Sequence, residues 1–458
     1  MLWPYTLAMF VALLATVRTR GPMWAFAISW LVTVLPITLD FIVFDNLKDY
    51  QWYTTRTLLG TFFAFALGIA TASLGSQFRA SRTNVSVEWE GGTAFAGMLP
   101  YARYLWFVGA GATALYMMDY YLTGGANTTS LAELRENIVT RTTATVPGQI
   151  SQLFGWANPI VFFFALYYRT RLTRPMFLWL VSAGVLHFVP GLLSAGRQSA
   201  FQLMVLSILA LTLSRDSTPG SVRKGSPVLF IGIIAAAVSY MLYIAVARSE
   251  IWETRTKETI LMALFHFRLS NWLDSILNLF PTSVRSSFVE GIVYFSHTPA
   301  LFDNFLNLDG GARFWGANTF PFVMRRLTPI TGISPEVAYE YKVALLDSVQ
   351  AIGTGWSTAY SGLILDWGYT GLYISMFLIG LIAQRSWLAL RGDPPFPVVM
   401  FNAIMLLIII YLPTAIGIAD TNILIATAVV MFAIRFRIGY PRAATAKAPA
   451  TALLASSA

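Results

Sequence analysis

Long apolar runs, each separated from the next by a short polar stretch, recur along almost the whole chain. Runs of roughly 17 to 25 mainly apolar residues are long enough to cross the ~30 Å hydrocarbon core of a bilayer as helices. The pattern predicts about eleven such spans. Their predicted bounds are residues 2–17, 22–44, 57–75, 100–122, 150–168, 176–193, 199–213, 227–247, 362–383, 398–413 and 422–434.

The composition supports a membrane protein with many spans. Of the 458 residues, 56% are hydrophobic and only 12% are charged, against roughly 25% charged residues in soluble domains. The first apolar run lacks both a basic start and a small-residue cleavage site, and similar runs follow it. We therefore expect no cleavable signal peptide.

Two further segments combine apolar and charged positions. Residues 260–280 and 287–308 are apolar at helical spacing but carry Arg, Asp, Glu or His within them. They are either amphipathic helices on the membrane surface or a weakly hydrophobic transmembrane pair. The predicted fold is therefore an all-α polytopic integral membrane protein with about 11 to 13 transmembrane helices. In this prediction residues 1–440 form one transmembrane domain, and 441–458 form a flexible cytoplasmic tail.

Two polar segments between the spans carry signals of helix starts. Ser334 precedes Pro335, and Glu336 follows in the first turn, which favours a helix that begins there. Ser130 and Glu133 have the spacing of a capping box, which predicts a short helix on the outer face.

Basic residues in the short loops give the predicted orientation, because short cytoplasmic loops are rich in Lys and Arg. If the arginines of residues 169–174 are cytoplasmic, alternation of the spans places the other short basic loops and the basic tail on the same side. Arg197 and Arg248 then lie on the extracytoplasmic side. The long segment 248–355 lies there too and is predicted to be a large helical loop. About ten of the 31 Lys and Arg residues, including Lys342, fall in this outer region.

Residue usage argues against several kinds of site. The chain has no cysteine, which removes disulfides, thiolate metal ligands and cysteine nucleophiles. His187, His266 and His297 are too far apart in sequence to suggest a zinc cluster. No Asp-x-Asp signature of a nucleotide-sugar enzyme lies on the outer side, and a net charge of +9 is ordinary for basic cytoplasmic loops. We therefore expect no metal, no cofactor and no nucleic-acid partner.

Arginine dominates the basic residues of the outer region. A guanidinium binds phosphate oxygens in a bidentate way and stays charged when partly buried. Arg197 and Arg248, each at the outer end of a span, are therefore candidate diphosphate ligands, although a snorkelling residue that marks the end of a span is the ordinary alternative.

Asp366 is a second kind of candidate. It lies just inside the outer end of a span, where an ionisable residue is costly and marks a functional site by default. The nearby hydroxyl and amide groups are of the kind that bind sugars; they belong to Asn318, Thr354, Ser357 and Tyr360. The neighbouring tryptophans are either stacking faces for sugar or an interfacial aromatic belt; they are Trp315, Trp356 and Trp367.

The order of these motifs resembles a known family. "GRQSAF" enters a span, a second arginine follows one hairpin later, and a long outer loop with "GANTFPF" precedes "GTGWSTAYSGLILDWGYTG". This order is similar to that of the Wzy-type polysaccharide polymerases, the oligosaccharide repeat-unit polymerases, over residues 176–434. The Asp-aromatic-Gly-x-x-Gly element at 366–371 is the strongest part. The family is related to O-antigen ligases and to GT-C-like membrane glycosyltransferases, so the resemblance implies a GT-C-like fold.

The resemblance implies a metal-independent glycosyltransferase of the bacterial inner membrane whose active site faces the periplasm. Such an enzyme transfers a growing glycan from undecaprenyl diphosphate to the terminal sugar of an incoming undecaprenyl diphosphate-linked repeat unit, and so builds O-antigen, capsule or exopolysaccharide. Arg197 and Arg248 would neutralise the two diphosphates, and Asp366, Glu250 or His297 would accept the proton of the attacking hydroxyl. The residues expected to bind substrate are Arg313, Asn318, Thr319, Arg325, Arg326, Thr354, Ser357 and Tyr360. The expected partners are the lipid-linked oligosaccharide, membrane lipid, and a flippase and chain-length regulator of the same pathway.

Other functions fit part of the pattern. An O-antigen ligase would use the same chemistry on a different acceptor. A transporter or flippase of lipid-linked oligosaccharide would use the same cations, but such proteins usually carry internal repeats and polar residues at the membrane midplane. Here no repeat is found and the polar residues gather on one face. A purely structural membrane protein gives no reason for the outer arginines.

Overall fold

The structure, a computed structural model, describes most of the apolar segments and part of the outer region. The described residues are 2–19, 21–44, 52–80, 91–123, 145–193, 198–214, 267–308, 311–347, 358–390, 394–415 and 417–438, with Gly232, Ala235, Ser239, Tyr240 and Met262.

Nearly all of the described residues lie in helices. The elements are α1 (Trp3–Thr16), α2 (Pro22–Thr38), β1 (Ile42–Phe44), α3 (Trp52–Ala80), α4 (Gly91–Leu122), α5 (Val146–Phe154), α6 (Ala157–Tyr167), α7 (Arg174–Leu193), α8 (Gln198–Leu213), β2 (Phe267–Leu269), α9 (Asn271–Leu277), α10 (Thr282–Leu308), α11 (Pro321–Thr331), α12 (Pro335–Asp347), α13 (Ala359–Leu388), α14 (Phe396–Tyr411) and α15 (Thr421–Arg435).

The apolar helices support the predicted membrane protein. By length and composition, four segments of the described chain can cross a bilayer: Trp52–Ser76, Val146–Tyr167, Arg174–Leu193 and Ala359–Leu388. The shorter apolar helices are α1, α2, α8, α14 and α15. Of the predicted span at 227–247 only four residues are described, and they are helical. The ring of Tyr240 lies 4.4 Å from that of Phe188 on α7, so Tyr240 packs on α7.

The tightest helix crossing joins α3 to α13. A Cβ atom placed on Gly68 would lie 2.1 Å from the carbonyl oxygen of Phe377, and one on Gly380 would lie 2.3 Å from that of Phe65. The two backbones are therefore in direct contact, which is how small residues bring helices together in a membrane.

Helix α13 is broken at Gly368, which has φ 71° and ψ −176°. This backbone region is accessible essentially to glycine alone. The part that follows, 369–388, is roughly 30 Å long as a helix and can cross the hydrocarbon core by itself. The part that precedes, 359–366, is buried at every position. The predicted span at 362–383 lies within Ala359–Leu388, and the break at Gly368 was not predicted.

The structure contains a short sheet that the sequence pattern did not predict. Strands β1 and β2 pair antiparallel, with Val43 opposite Arg268. The predicted span at 22–44 was wrong at its end, because Asp40 adopts a left-handed conformation (φ 53°) that turns the chain out of α2. The helical spacing within 260–280 was also misleading, since β2 and the seven-residue α9 replace one continuous helix.

Helix α10 enters the body of the protein instead of lying on its surface. Every residue from 296 to 303 is buried, and α10 packs against α2, α3 and α13. The hydroxyl of Thr54 donates to the buried carboxylate of Asp303. A helix that is buried on all sides has no solvent-facing or lipid-facing stripe, so the surface-lying interpretation of 287–308 was wrong for this half of the helix.

Of the two predicted helix starts, the structure describes one. Helix α12 begins at Pro335 with Glu336 in its first turn, and the Ser334 hydroxyl accepts from the Glu336 amide at 3.1 Å. This prediction is confirmed. The capping-box segment at 130–133 lies outside the described residues.

Candidate functional site

The side chain of Asp366 is the centre of the candidate site. It is completely buried and accepts four hydrogen bonds. Its Oδ1 accepts from the backbone and side-chain nitrogens of Asn318, both at 3.0 Å. Its Oδ2 accepts from the backbone nitrogen and hydroxyl of Thr319, both at 2.6 Å. Four donors fill the hydrogen-bonding capacity of an ionised carboxylate.

The break in α13 explains why the loop of residues 314–319 binds at Asp366. The last carbonyls of the segment that ends before Gly368 need donors that the interrupted helix does not supply. The amide of Phe314 donates to the Leu365 carbonyl at 2.9 Å, and that of Trp315 donates to the Asp366 carbonyl at 3.2 Å. Left-handed φ values of 48° at Trp315 and 102° at Gly316 then turn the chain, so that Asn318 and Thr319 reach the carboxylate.

Arg313 lies against the break itself. A Cβ on Gly368 would lie 3.4 Å from Nε of Arg313, and Nη1 of Arg313 donates to the carbonyl of Ala312 at 2.7 Å. The guanidinium therefore lies next to the backbone of Gly368. In sequence, Arg313 directly precedes the loop 314–319 that binds Asp366.

Substitution of Gly368 by alanine should destabilise this arrangement. The new side chain would occupy a left-handed conformation at a cost of about 1 to 3 kcal/mol and would be in van der Waals contact with Arg313. We expect a fall in the thermal unfolding temperature of the purified protein. The matched control is Gly111→Ala on α4, where a Cβ would meet nothing within 4 Å. Equal unfolding temperatures for the two variants would contradict the structural role given to Gly368.

Lys342 on α12 completes the group, although sequence reasoning counted it only among the outer basic residues. Burial lowers its pKa from 10.5 to about 8, and the nearby charge of Asp366 opposes that shift. The adjoining Tyr341 packs its ring 5.3 Å from that of Phe314, which holds α12 against the loop. We call Arg313, Asn318, Thr319, Lys342 and Asp366 the Asp366 cluster. The sequence signal that could have identified Lys342 is its position as the one lysine of α12, between Tyr341 and four apolar residues.

The shifted pKa of Lys342 predicts a pH dependence of stability. Between pH 8 and 10.5 the unfolded chain holds a proton on this lysine that the folded protein has released, so the free energy of unfolding rises with pH across this window. Replacement of Lys342 by methionine should flatten that rise. The check is unfolding by denaturant at pH 7.5, 8.5 and 9.5 for both proteins. Parallel pH dependence in wild type and variant would contradict the burial of the ammonium group.

Two predicted arginines lie on α11, next to the cluster but directed away from it. Nε of Arg325 donates to Oε1 of Glu336 at 2.8 Å, and this pair is exposed. A hydrogen bond from Ser334, followed by the one from Arg325, lowers the pKa of Glu336 to about 2. The guanidinium of Arg326 lies 5.9 Å from the centre of the Phe322 ring.

Tyr360 and His297 lie within the protein body. Tyr360 is fully buried, with its ring stacked 5.1 Å from that of Trp30 and in edge-on contact with that of Phe302 at 5.9 Å. This position gives it a packing role. His297 is buried on α10 and its Nδ1 is 2.8 Å from the Val293 carbonyl. Because a carbonyl oxygen only accepts, Nδ1 is the donor in this hydrogen bond.

The remaining predicted residues lie outside the described part of the chain; they are Arg197, Arg248, Glu250, Thr354 and Ser357. The tryptophan pair that flanks the Asp366 cluster is described. The ring of Trp315 lies 6.3 Å from that of Trp367 in an edge-on contact, and both side chains are exposed. Their position suits a stacking face and an aromatic belt equally.

A second polar group follows Arg197 in sequence and was not predicted. Nε2 of Gln198 donates to Oδ2 of Asp420 at 2.6 Å, and Nε2 of Gln202 donates to the same oxygen at 3.0 Å. Oε1 of Gln202 is therefore free to accept from Nε2 of His187 at 2.9 Å. These bonds tie α7, α8 and the start of α15 together, and the signal for them was polar residues within apolar runs.

Within the described ranges, no three His, Asp or Glu side chains lie close enough together to hold a metal ion. No model of a known protein family matches the chain, and no curated protein and no solved structure matches it. The residues and their geometry are thus the basis for a functional proposal.

Proposed function

We propose that this protein is a polysaccharide polymerase of the Wzy type. It takes a glycan from one undecaprenyl diphosphate carrier and adds it to a repeat unit on a second carrier, at the outer face of a bacterial inner membrane. The observation that carries the proposal is the Asp366 cluster, in which two cations flank a fully hydrogen-bonded carboxylate at a broken helix. The motifs that resemble the Wzy family include Asn318 and Thr319 in "GANTFPF" and Asp366 in the Asp-aromatic-Gly-x-x-Gly element.

The proposed reaction forms one glycosidic bond and breaks another bond to the same carbon. A hydroxyl oxygen of the acceptor sugar bonds to the anomeric carbon of the donor glycan, and the bond from that carbon to the diphosphate oxygen breaks. Undecaprenyl diphosphate leaves with the electron pair, and the hydroxyl proton passes to a base, for which Glu250 and His297 stay the candidates. Negative charge therefore grows on the diphosphate in the transition state.

Arg313 and Lys342 are suited to stabilise that charge. Cations held in place before the reaction act most strongly where charge develops and water is excluded. Arg313 offers a planar set of donors to phosphate oxygens, and Lys342 offers a partly buried ammonium group. Asp366 has all its acceptor sites occupied by Asn318 and Thr319, so its role is to position the loop and not to accept the hydroxyl proton.

The test is polymerisation by purified protein. Wild type, supplied with the undecaprenyl diphosphate-linked repeat unit of its own polysaccharide, should produce a ladder of repeat-unit multiples by gel or mass spectrometry. Arg313→Ala and Lys342→Met should each reduce the rate by about 10² to 10³-fold, as loss of a transition-state donor does. Arg197→Ala and Arg248→Ala should behave alike if both bind diphosphate.

The matched control is Arg385→Ala, at the opposite end of α13 and exposed, which should leave the ladder unchanged. Full activity in folded Arg313→Ala and Lys342→Met variants would separate the cluster from catalysis. Absence of a wild-type ladder, together with movement of the lipid across a proteoliposome bilayer, would replace the polymerase with a flippase. Transfer to a lipid core without a ladder would indicate a ligase.

A further inference from the structure

Helix α11 presents an unpartnered apolar stripe. Val323, Leu327 and Ile330 follow the i, i+4, i+7 spacing that places side chains on one helix face. Their exposed fractions are 40%, 38% and 83%. Among the described residues these three side chains are exposed, as are Arg325, Arg326, Pro329 and Thr331 of the same helix.

Helix α11 is anchored to the rest of the protein by one buried side chain and one ion pair. Met324 is buried, and the hydroxyl of Thr328 donates to the carbonyls of Met324 and Ile333 at 2.9 and 3.0 Å. Arg325 pairs with Glu336 across to α12, and Gly332 closes the helix in a left-handed conformation with φ 69°. The helix is therefore anchored through Met324 and Arg325, whereas Val323, Leu327 and Ile330 are exposed.

The position of α11 along the membrane normal follows from the Asp366 cluster. Thr319 is hydrogen-bonded to Asp366. Pro321 follows Thr319 by two residues, so α11 begins within about 7 Å of Thr319. Asp366 itself lies three residues before the segment 369–388, which is long enough to fill the hydrocarbon core. The start of α11 is therefore level with one edge of the core.

We propose that α11 is an interfacial helix, with the stripe of Val323, Leu327 and Ile330 inserted between the headgroups and acyl chains of the leaflet beside the Asp366 cluster. The occupant of the apolar face is phospholipid. A short amphipathic helix at this depth buries its apolar face in the boundary between headgroups and acyl chains. Trp315 lies six residues before the start of α11 and is 61% exposed. Tryptophan is a residue type that is enriched at that boundary.

Charge favours the same occupant. Arg326 lies beside the stripe, three residues after Val323 and four before Ile330, and its long side chain can reach a lipid phosphate while its stem stays on apolar surface. A basic residue near an anionic membrane surface contributes about 1 kcal/mol. A protein partner would more often meet a rim with both charge signs, whereas the residue beside this stripe is cationic.

Placing α11 in the leaflet goes beyond the proposed enzyme, since it holds for any activity. It also has a consequence for access. The loop that binds Asp366 would be held at the level of the lipid headgroups, so a lipid-linked ligand would reach Arg313 and Lys342 from the bilayer and not from water.

The absence of cysteine from the whole sequence makes the test direct. Single substitutions Val323→Cys, Leu327→Cys and Ile330→Cys each receive one nitroxide label, and the full-length protein is placed in nanodiscs of phosphatidylcholine and phosphatidylglycerol. Arg325→Cys on the other side of α11 is the control; it loses only an exposed ion pair, which contributes about 0 to 1 kcal/mol. Collision rates are measured with oxygen, which concentrates in lipid, and with a nickel chelate, which stays in water.

The oxygen-to-nickel ratio should be several-fold higher at the three stripe positions than at residue 325. Leu327→Glu, combined with the label at 330, should bring that ratio down toward the control. Equal, water-like ratios at all four positions would overturn the proposal. Dipolar broadening between labels would instead assign the stripe to a contact between two copies, and inaccessibility to both reagents would overturn the proposal by showing that the stripe is covered within the chain itself.

Discussion

Replacement of Asp366 by alanine should abolish the proposed activity and weaken the fold. The substitution leaves the four donors of Asn318 and Thr319 without their acceptor in a fully buried place. Removal of one partner from a buried charged interaction costs about 3 to 5 kcal/mol, a large share of a total stability of about 5 to 15 kcal/mol. We expect poor yield, a strongly lowered unfolding temperature and no ladder.

Asparagine should be almost as damaging as alanine at this position. All four groups that contact the carboxylate are donors, so the amide nitrogen of asparagine would face the Thr319 or Asn318 donors with another donor. Asn318→Ala provides the matched comparison, because it removes one side-chain donor and keeps the backbone nitrogen in place; its cost should be about 1 kcal/mol. The measurements are thermal unfolding in detergent and the ladder assay. A stable, active Asp366→Asn variant would contradict the hydrogen-bond arrangement described above.

Substitution of Gly68 by alanine should be the most damaging small change within the spans. The new Cβ would lie 2.1 Å from the Phe377 carbonyl oxygen and 2.8 Å from the Leu381 nitrogen, so α3 and α13 must separate. Because the obstacle is backbone, no side chain can relieve it, and we expect a loss of about 3 kcal/mol, the upper end of the usual cost of overpacking.

Gly75→Ala on the same helix is the matched control. A Cβ there meets nothing within 4 Å, and alanine is up to about 1 kcal/mol better than glycine in a helix, so the variant should be as stable as wild type or slightly more so. The two purified variants are compared by thermal unfolding and size-exclusion chromatography. Similar behaviour would mean that the α3–α13 contact is looser than the structure has it.

Much of the fold followed from the hydrophobic pattern, because apolar run length is a direct consequence of bilayer thickness. The ends of elements did not follow. Asp40 stops α2 through its own backbone conformation, and Gly368 interrupts α13 within an unbroken apolar stretch. Both are single-residue backbone events, and a pattern averaged over many residues does not register them.

The candidate site was predictable in part. Asp366, Asn318, Thr319 and Arg313 were singled out by chemistry and motif, and the structure brings them together. Lys342 was not singled out, since its significance comes from packing between α12 and the loop at Phe314, which are separate in sequence. Tyr360 was chosen for its hydroxyl, but its neighbours Trp30 and Phe302 come from distant helices and enclose it.

Burial of the second half of α10 constrains how the chain is assembled during synthesis. Residues 296–303 carry His297 and Asp303 and are enclosed by α2, α3 and α13. The first two of these helices leave the ribosome long before α10, but α13 is made only after it. Because a segment with buried polar groups cannot rest stably in lipid without its partners, α10 must reach its final place after α13 has inserted. A chain that stops before residue 359 should therefore lack a folded outer region, and α10 would be its exposed, degradation-prone segment.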